Sequence, residues 1–173
     1  MSRAGYSYDC DDILAAGRWQ AQVASAIRGK RGQKFFRDLI AALDAMPEKE
    51  LIDGELKDAD GCVCALGALG SARGVDLSGL DTEDWEYLGA TFDIAEQLAR
   101  ETMYQNDDHV DSYEYTTIEI CGPVRPYWPD FGRHTKEVRV PVADSDVRKR
   151  RWAHVRAWAV SNLRTAQETQ GAP

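Results

Sequence analysis

A basic, glycine-containing stretch is the first part of this 173-residue sequence whose residue types could do chemistry. It reads Arg28-Gly29-Lys30-Arg31-Gly32 and leads into a predicted apolar helix. Backbone N–H groups at a helix N-terminus attract anions, and glycines let a phosphate come close. The full phosphate-loop pattern is absent, because no Ser or Thr follows Lys30 and no leading glycine stands at the required distance. Arg28, Lys30 and Arg31 are therefore candidate anion-binding residues, and a solvated turn between two helices is the alternative interpretation.

A second basic cluster, Arg148-Lys149-Arg150-Arg151, opens the last predicted helix. Cations at a helix N-terminus oppose the helix dipole, at a cost of about 0.3–1 kcal/mol each. The protein's own acidic middle could offset that cost, since residues 44–114 hold 19 acidic and 4 basic side chains, against 10 and 17 elsewhere. Otherwise an acidic partner or nucleic acid supplies the offset, which makes all four residues candidates for anion binding. The acidic middle itself disfavours DNA binding, because phosphates are repelled there.

Aromatic side chains are concentrated in a proline-rich segment between two predicted strands, 113–121 and 136–142. Aromatic and arginine side chains are enriched in binding hot spots, and a loop stiffened by proline loses less entropy on binding. The candidate partner-binding residues at this tip are Arg125, Tyr127, Trp128, Phe131 and Arg133. The alternative is a loop that folds back over its own core to bury Trp128.

Two groups of side chains have the chemistry of metal ligands without the spacing of a metal site. Cys62 and Cys64 could bind zinc with Cys10, Cys121 or a histidine, but zinc sites usually pair cysteines at a wider spacing, and a second close pair is missing. The acidic loop 107–111 lacks the regular spacing and the late glutamate of a calcium loop. We therefore expect small core thiols and a solvated polar loop, with no metal and no cofactor.

Hydrophobic periodicity predicts the helices that position these residues. Phe36, Ile40 and Leu43 recur at helical spacing within the strongest apolar stripe, which predicts a buried helix from 33 to 46. Asp81 is predicted to cap a further helix, and Asp93 another, with Glu96 in the capping-box position. Three more helices are predicted at 13–27, 65–73 and about 146–167.

Turn signals predict two short antiparallel hairpins beside those helices. The first joins 51–56 to 62–65 around the turn 58–61, and the second carries the aromatic tip. Gly29 and Gly74 are placed to end helices in the left-handed conformation. The predicted fold is α+β and mainly helical, with one domain over 13–169, a β-hairpin insertion at about 112–143, an arm at 1–12 and a tail at 170–173.

The length suits one ordinary domain with its own core. No apolar run approaches the roughly 18 residues of a membrane span. The first 12 residues are polar, so a secretory signal is not expected, and we expect a protein of the cytoplasm with no membrane partner.

Three segments resemble a family of small uncharacterised proteins encoded by bacteriophages and prophages. They are 27–33 (IRGKRGQ), 62–69 (CVCALGAL) and 104–107 (YQND), followed by a final helix that carries tryptophan. The resemblance covers roughly residues 12–108 and 147–163, whereas 113–142 departs from it and looks like an insertion. The family has no assigned activity, so the resemblance implies only a context, that of a phage accessory gene acting inside an infected cell.

These observations favour a non-catalytic function. The motifs of serine hydrolases, zinc proteases and phosphate loops are absent, although a site assembled from distant parts of the chain stays open. We expect a phage accessory protein that binds a host or phage protein, inhibiting a host defence or metabolic system or mimicking DNA with its acidic face. One alternative is a nucleic-acid-binding module that uses residues 28–34 and 148–151. Another is an enzyme that acts on a phosphorylated small molecule at the Lys30 turn.

Overall fold

The computed structural model describes residues 13–122 and 133–164. Within those residues the chain forms six helices and one two-stranded antiparallel sheet, which confirms the predicted α+β class. In chain order they are α1 (Ile13–Arg28), α2 (Lys30–Ala45), α3 (Ala65–Arg73), α4 (Trp85–Phe92), α5 (Glu96–Asp107), β1 (Tyr113–Cys121), β2 (Arg133–Pro141) and α6 (Asp144–Ser161). None of the helices in this described part is long and apolar enough to cross a membrane.

The fold divides into two compact units. Among the described residues, one unit holds those up to 110 and from 148 onward, and the other holds those between 111 and 147. The first unit contains α1 to α5 and most of α6. The second contains the β1–β2 hairpin and spans the predicted insertion at 112–143.

The core of the first unit is built on the apolar stripe of α2. Phe35, Phe36, Leu39 and Leu43 have no more than 1% of their surface exposed, which confirms the helical pattern predicted there. The ring of Phe36 meets Trp158 of α6 edge to face, with centroids 5.0 Å apart. Burial of such side chains is worth about 1.5–3 kcal/mol each, so this stripe is a main source of the unit's stability.

The turn between α1 and α2 is tighter than predicted. Gly29 is extended, with φ −68° and ψ 158°, and it is the N-cap of α2; the left-handed conformation predicted for it is wrong. The cause is the length of the connection, because Gly29 alone separates the two helices and its N–H still bonds to carbonyls of α1. Gly32 packs so closely against α1 that a Cβ there would collide with the Ala26 and Ile27 carbonyls.

The capping residues of α4 and α5 also differ from prediction. Asp84, not Asp81, caps α4 by accepting a hydrogen bond from the Tyr87 N–H. Asp93, predicted to cap α5, instead ends α4 in the left-handed conformation with φ 54°, which Asp tolerates better than most residues. The N-cap of α5 is Ala95, which has no side-chain oxygen to offer.

The first predicted hairpin is reduced to a single bridge between Lys57 and Val63 within the described residues. Its turn chemistry is nevertheless as predicted: Asp58 Oδ1 accepts the Cys62 N–H, and Gly61 has φ 88°. Helix α3 follows, ending at Gly74 in the predicted left-handed conformation. The first predicted hairpin pairs over so short a length because its first strand packs against α3. The α3 backbone at Gly67 lies directly against the carbonyl of residue 56.

The β1–β2 hairpin pairs Tyr113 with Pro141 at its open end and Cys121 with Arg133 at the far end. Strand β2 therefore starts three residues earlier than predicted, and Pro141 is its last residue. Helix α6 ends at Ser161 rather than near 167.

Replacement of Gly67 by alanine should test the close contact below α3. The new Cβ would lie well inside van der Waals distance of the Leu56 carbonyl oxygen, and backbone on both sides leaves little room for relief. We expect Gly67→Ala to lower the free energy of unfolding by about 1–3 kcal/mol or more, measured by urea denaturation. Gly17→Ala is the matched control, because a Cβ there meets nothing within 4 Å in mid-helix, and it should stabilise by about 0.5–1 kcal/mol. Equal effects of the two substitutions would contradict the close contact.

Candidate binding groove

An apolar groove runs between α2 and α3 because both helices present small residues to it. Ala42 and Ala45 of α2 face Ala68 and Ala72 of α3 across the groove. The alanines recur at intervals of three or four, so each pair lies on one helix face. Small side chains on both walls leave a volume of about 510 Å³, which lies in the usual range for binding sites.

The end of the groove is formed by the segment that follows α2. Met46 and Pro47 line it where the helix stops. Lys49 fixes this corner, because its Nζ donates to the carbonyls of Asp44 (2.6 Å) and Met46 (2.8 Å), at the negative end of the helix dipole. The same ammonium lies 5.4 Å from the ring centroid of Trp152. The corner is therefore held by its own polar contacts.

The far wall is an irregular segment that is hydrogen-bonded on both sides. The Ile52 N–H donates to the Val63 carbonyl at 3.1 Å, and both side chains line the groove. The Leu51 N–H donates to the Arg148 carbonyl at 3.1 Å, which ties the wall to α6. The wall is thus a pre-formed surface, and a partner would meet it with little ordering cost.

The charged residues of the groove are mostly acidic. Glu48, Glu50 and Asp60 line it, and Arg148 is the one basic lining residue in the described part of the chain. Glu48 and Asp60 are exposed, whereas Glu50 is half-buried with Lys149 3.8 Å away. A cleft with apolar walls and a carboxylate rim suits a ligand that is apolar at its centre and cationic at its edges.

The two neighbouring cysteines differ in their surroundings. Cys62 is half-buried and lines the groove. Cys64 is fully buried and caps α3, with its Sγ accepting the Gly67 N–H at 3.4 Å. Burial raises the pKa of the Cys64 thiol to about 12, so it stays protonated and unreactive. Among the described residues, no group of three or more metal-ligating side chains comes together.

Two buried polar side chains behind the groove hold its wall in place, and their pattern in the sequence did not indicate this role. Asn106 is fully buried; its Nδ2 donates to the Ile52 carbonyl at 2.8 Å and its Oδ1 accepts the Ala65 N–H at 3.1 Å. Arg151 is 4% exposed and donates to the Leu51 carbonyl at 2.8 Å. Together these two side chains provide hydrogen-bond partners for the backbone carbonyl and N–H groups on both sides of the wall. Only the spacing of alanines along α2 and α3 could have signalled the groove in the sequence.

A polar relay continues from the same face of α5. Glu101 Oε1 accepts from Gln105 Nε2 at 2.8 Å, and Gln105 Oε1 is 2.9 Å from His154 Nε2. The His154 ring lies 4.9 Å from that of His109, which in turn meets Tyr104 edge to face. Burial, and then the neighbouring His109, lower the pKa of His154 below its ordinary value. Burial and His109 therefore favour neutral His154 in the folded protein.

The predicted partner-binding tip lies outside the described residues. Arg125, Tyr127, Trp128 and Phe131 all fall in 123–132, and Arg133 is described only as the first residue of β2. The proposal that this tip recognises a partner therefore stays a prediction.

The predicted anion-binding residues have different environments. Arg28, Lys30 and Arg31 are exposed at the junction of α1 and α2, and Arg31 is 3.5 Å from Asp93. Gly32, predicted to lie in the turn, is instead within α2, where it packs against α1.

Helix α6 begins at Asp144, so the four basic residues 148–151 lie in its second turn and do not open it as predicted, and only two of them are exposed. Arg148 lines the groove, Lys149 and Arg150 are exposed, and Arg151 is buried against the wall. The four therefore do not form one continuous basic surface.

Comparison with known proteins does not add a family or a fold relative. Neither the family models, the curated proteins nor the solved structures gave a significant match to this chain.

The relay predicts how stability depends on pH. The folded state lowers the pKa of His154, so the unfolded chain binds a proton at this residue more readily. The stabilisation that comes from neutral His154 is therefore fully present above the ordinary histidine pKa near 6.5, and it is lost as the pH falls below that value. We expect His154→Gln, which can still donate to Gln105, to flatten this loss in thermal melts between about pH 7 and 5. Parallel curves for wild type and His154→Gln would refute the assignment.

Proposed function

We propose that this protein is a non-catalytic binding protein whose groove takes an amphipathic helix of a partner protein. The observation that carries the proposal is the cleft between α2 and α3, apolar on its walls and acidic along its rim. The occupant would place apolar anchors against the alanines and lysine or arginine beside the carboxylates.

The shape of the groove supports a helical occupant. A helix that lies in a groove presents anchors at i, i+3 or i+4, and i+7, in a row that matches a trough between two helices. A volume of about 510 Å³ can take several aliphatic side chains. Because the walls are already fixed by Lys49 and Asn106, little of the binding energy is spent on ordering them.

The charge of the groove supports a basic occupant. Glu48 and Asp60 stand exposed at its edge, within the segment 44–114 that carries 19 acidic side chains against 4 basic ones. Such a field raises the rate at which a cationic segment finds the site, and salt screens the attraction. Charge complementarity of this kind contributes chiefly to specificity and association rate.

As part of the same proposal, the partner is a host or phage protein, and the chain acts as a phage accessory protein in the host cytoplasm. The sequence resemblance supports that context. An acidic, helix-binding surface suits inhibition of a partner whose own surface is basic, as nucleic-acid-binding proteins have. The alternative, direct nucleic-acid binding, has weaker support because Arg151 donates to the Leu51 carbonyl and is buried.

Two fluorescent model peptides would test the groove. They share leucines at i, i+3, i+4 and i+7, and differ in having lysine or glutamate at the remaining positions. Fluorescence anisotropy should show binding of the lysine peptide, weakening with salt, and little binding of the glutamate peptide. Ala72→Trp, at an exposed α3 position that lines the groove, should fill the site and weaken binding by roughly tenfold, or about 1.4 kcal/mol.

The matched control is Ala41→Trp, at an exposed position of α2 that does not line the groove. It should leave the affinity within about twofold. A second readout uses Cys62, since bound peptide should slow its thiol labelling in a chain with Cys10 and Cys121 replaced by serine. The proposal fails if Ala41→Trp and Ala72→Trp act alike, or if saturating peptide leaves Cys62 labelling unchanged.

A further inference from the structure

The β1–β2 hairpin is a two-stranded sheet whose central residues are exposed. Residues 114–119 of β1 and 134–137 of β2 are all exposed, and no third strand pairs with either within the part of the chain that the structure describes. Tyr115 is 64% exposed, and Ile118 and Val140 are each 42% exposed. A two-stranded hairpin is only marginally stable by itself in water, so pairing with further strands would stabilise this sheet.

The two edges of this sheet differ in chemistry. Strand β2 carries Lys136, Glu137 and Arg139 and ends in Pro141, and charged residues and proline are the features that protect an edge from pairing. The centre of β1 is Thr116, Thr117 and Ile118, with no charge and no proline, and its whole sequence, YEYTTIEIC, has high strand propensity. The β1 edge is therefore the one open to pairing.

The β1 sequence is complementary to itself in an antiparallel arrangement. With Thr117 on a two-fold axis, Thr117 faces its own copy and Thr116 faces Ile118 of the other chain. Each glutamate then faces an uncharged residue: Glu114 is opposite Ile120, and Glu119 is opposite Tyr115. No two like charges meet, and threonine pairs of this kind are favourable across strands.

We propose that two copies of this chain pair antiparallel through β1, centred on Thr117, to form a four-stranded sheet in the order β2–β1–β1–β2. Both outer edges of that sheet are β2 strands, whose charges and Pro141 prevent further addition. The pairing is isologous and closed, so it gives a dimer rather than a fibre. It also places Thr116 and Ile118 of both copies side by side on one face, next to Val138 and Val140 of each hairpin.

Sedimentation velocity over a concentration series tests the dimer. Thr117→Lys puts two ammonium groups opposite each other at the axis, while within its own hairpin the new lysine faces Glu137, a favourable pair. We expect it to weaken self-association about tenfold or more and to leave the circular dichroism spectrum unchanged. Thr135→Lys, an exposed threonine of β2, is the matched control and should leave the dimer intact.

Cross-linking supplies an independent measurement. In a chain with Cys10, Cys62 and Cys121 replaced by serine, Thr117→Cys should form a disulfide-linked dimer rapidly under mild oxidation, because directly opposed residues bring their Cβ atoms close together. Thr135→Cys should do so far more slowly. A wild-type chain that stays monomeric at every concentration overturns the proposal. So does a dimer that Thr117→Lys leaves unaffected, or cross-linking at equal rates through positions 117 and 135.

Discussion

Irregular backbone packed against a helical core sets the main constraint on this protein. The segment between α2 and α3 has almost no regular pairing, yet Leu51 and Leu56 within it are buried. Buried N–H and C=O groups without partners each cost about 1–3 kcal/mol. Asn106 and Arg151 supply the missing partners from α5 and α6. Loss of either side chain would leave carbonyls or amides unpaired in the core, so the segment depends on residues distant in sequence.

The groove is a consequence of that arrangement. An irregular segment fixed at Ile52 and Val63 can stand as a wall beside two helices without packing down into the space between them. The alanines on α2 and α3 then keep the space open. Helix α2 also carries Phe35 and Phe36 into the core, so one helix supplies both stability to the unit and one wall of the site.

The sequence predicts those parts of the fold that depend on local periodicity. The stripe of α2 and the strand β1 follow from spacing alone, and each is confirmed. Contacts between distant segments decide the remainder. Asp93 looks like an N-cap in the sequence, but the direction of the chain after α4 makes it a left-handed end. The buried roles of Asn106 and Arg151, which hold the groove wall, could not be predicted, because a polar residue in a helix gives no sign of which distant carbonyl it will meet.

The alanines on the groove walls determine how much free energy the unoccupied groove costs and how much is gained when a partner fills it. An exposed apolar surface costs free energy in proportion to its area, about 0.8 kcal/mol for each CH₂ group. Ala42 and Ala68 are buried, and the exposed Ala45 and Ala72 each offer a single methyl group, so the empty groove costs little, while Glu48 and Asp60 are exposed at its edge. A leucine from a partner that enters the same space buries a whole side chain, worth about 1.5–3 kcal/mol. Most of the free energy gained on binding therefore comes from burial of the partner's side chains. The groove can for this reason stay open in water and still bind an apolar helix face.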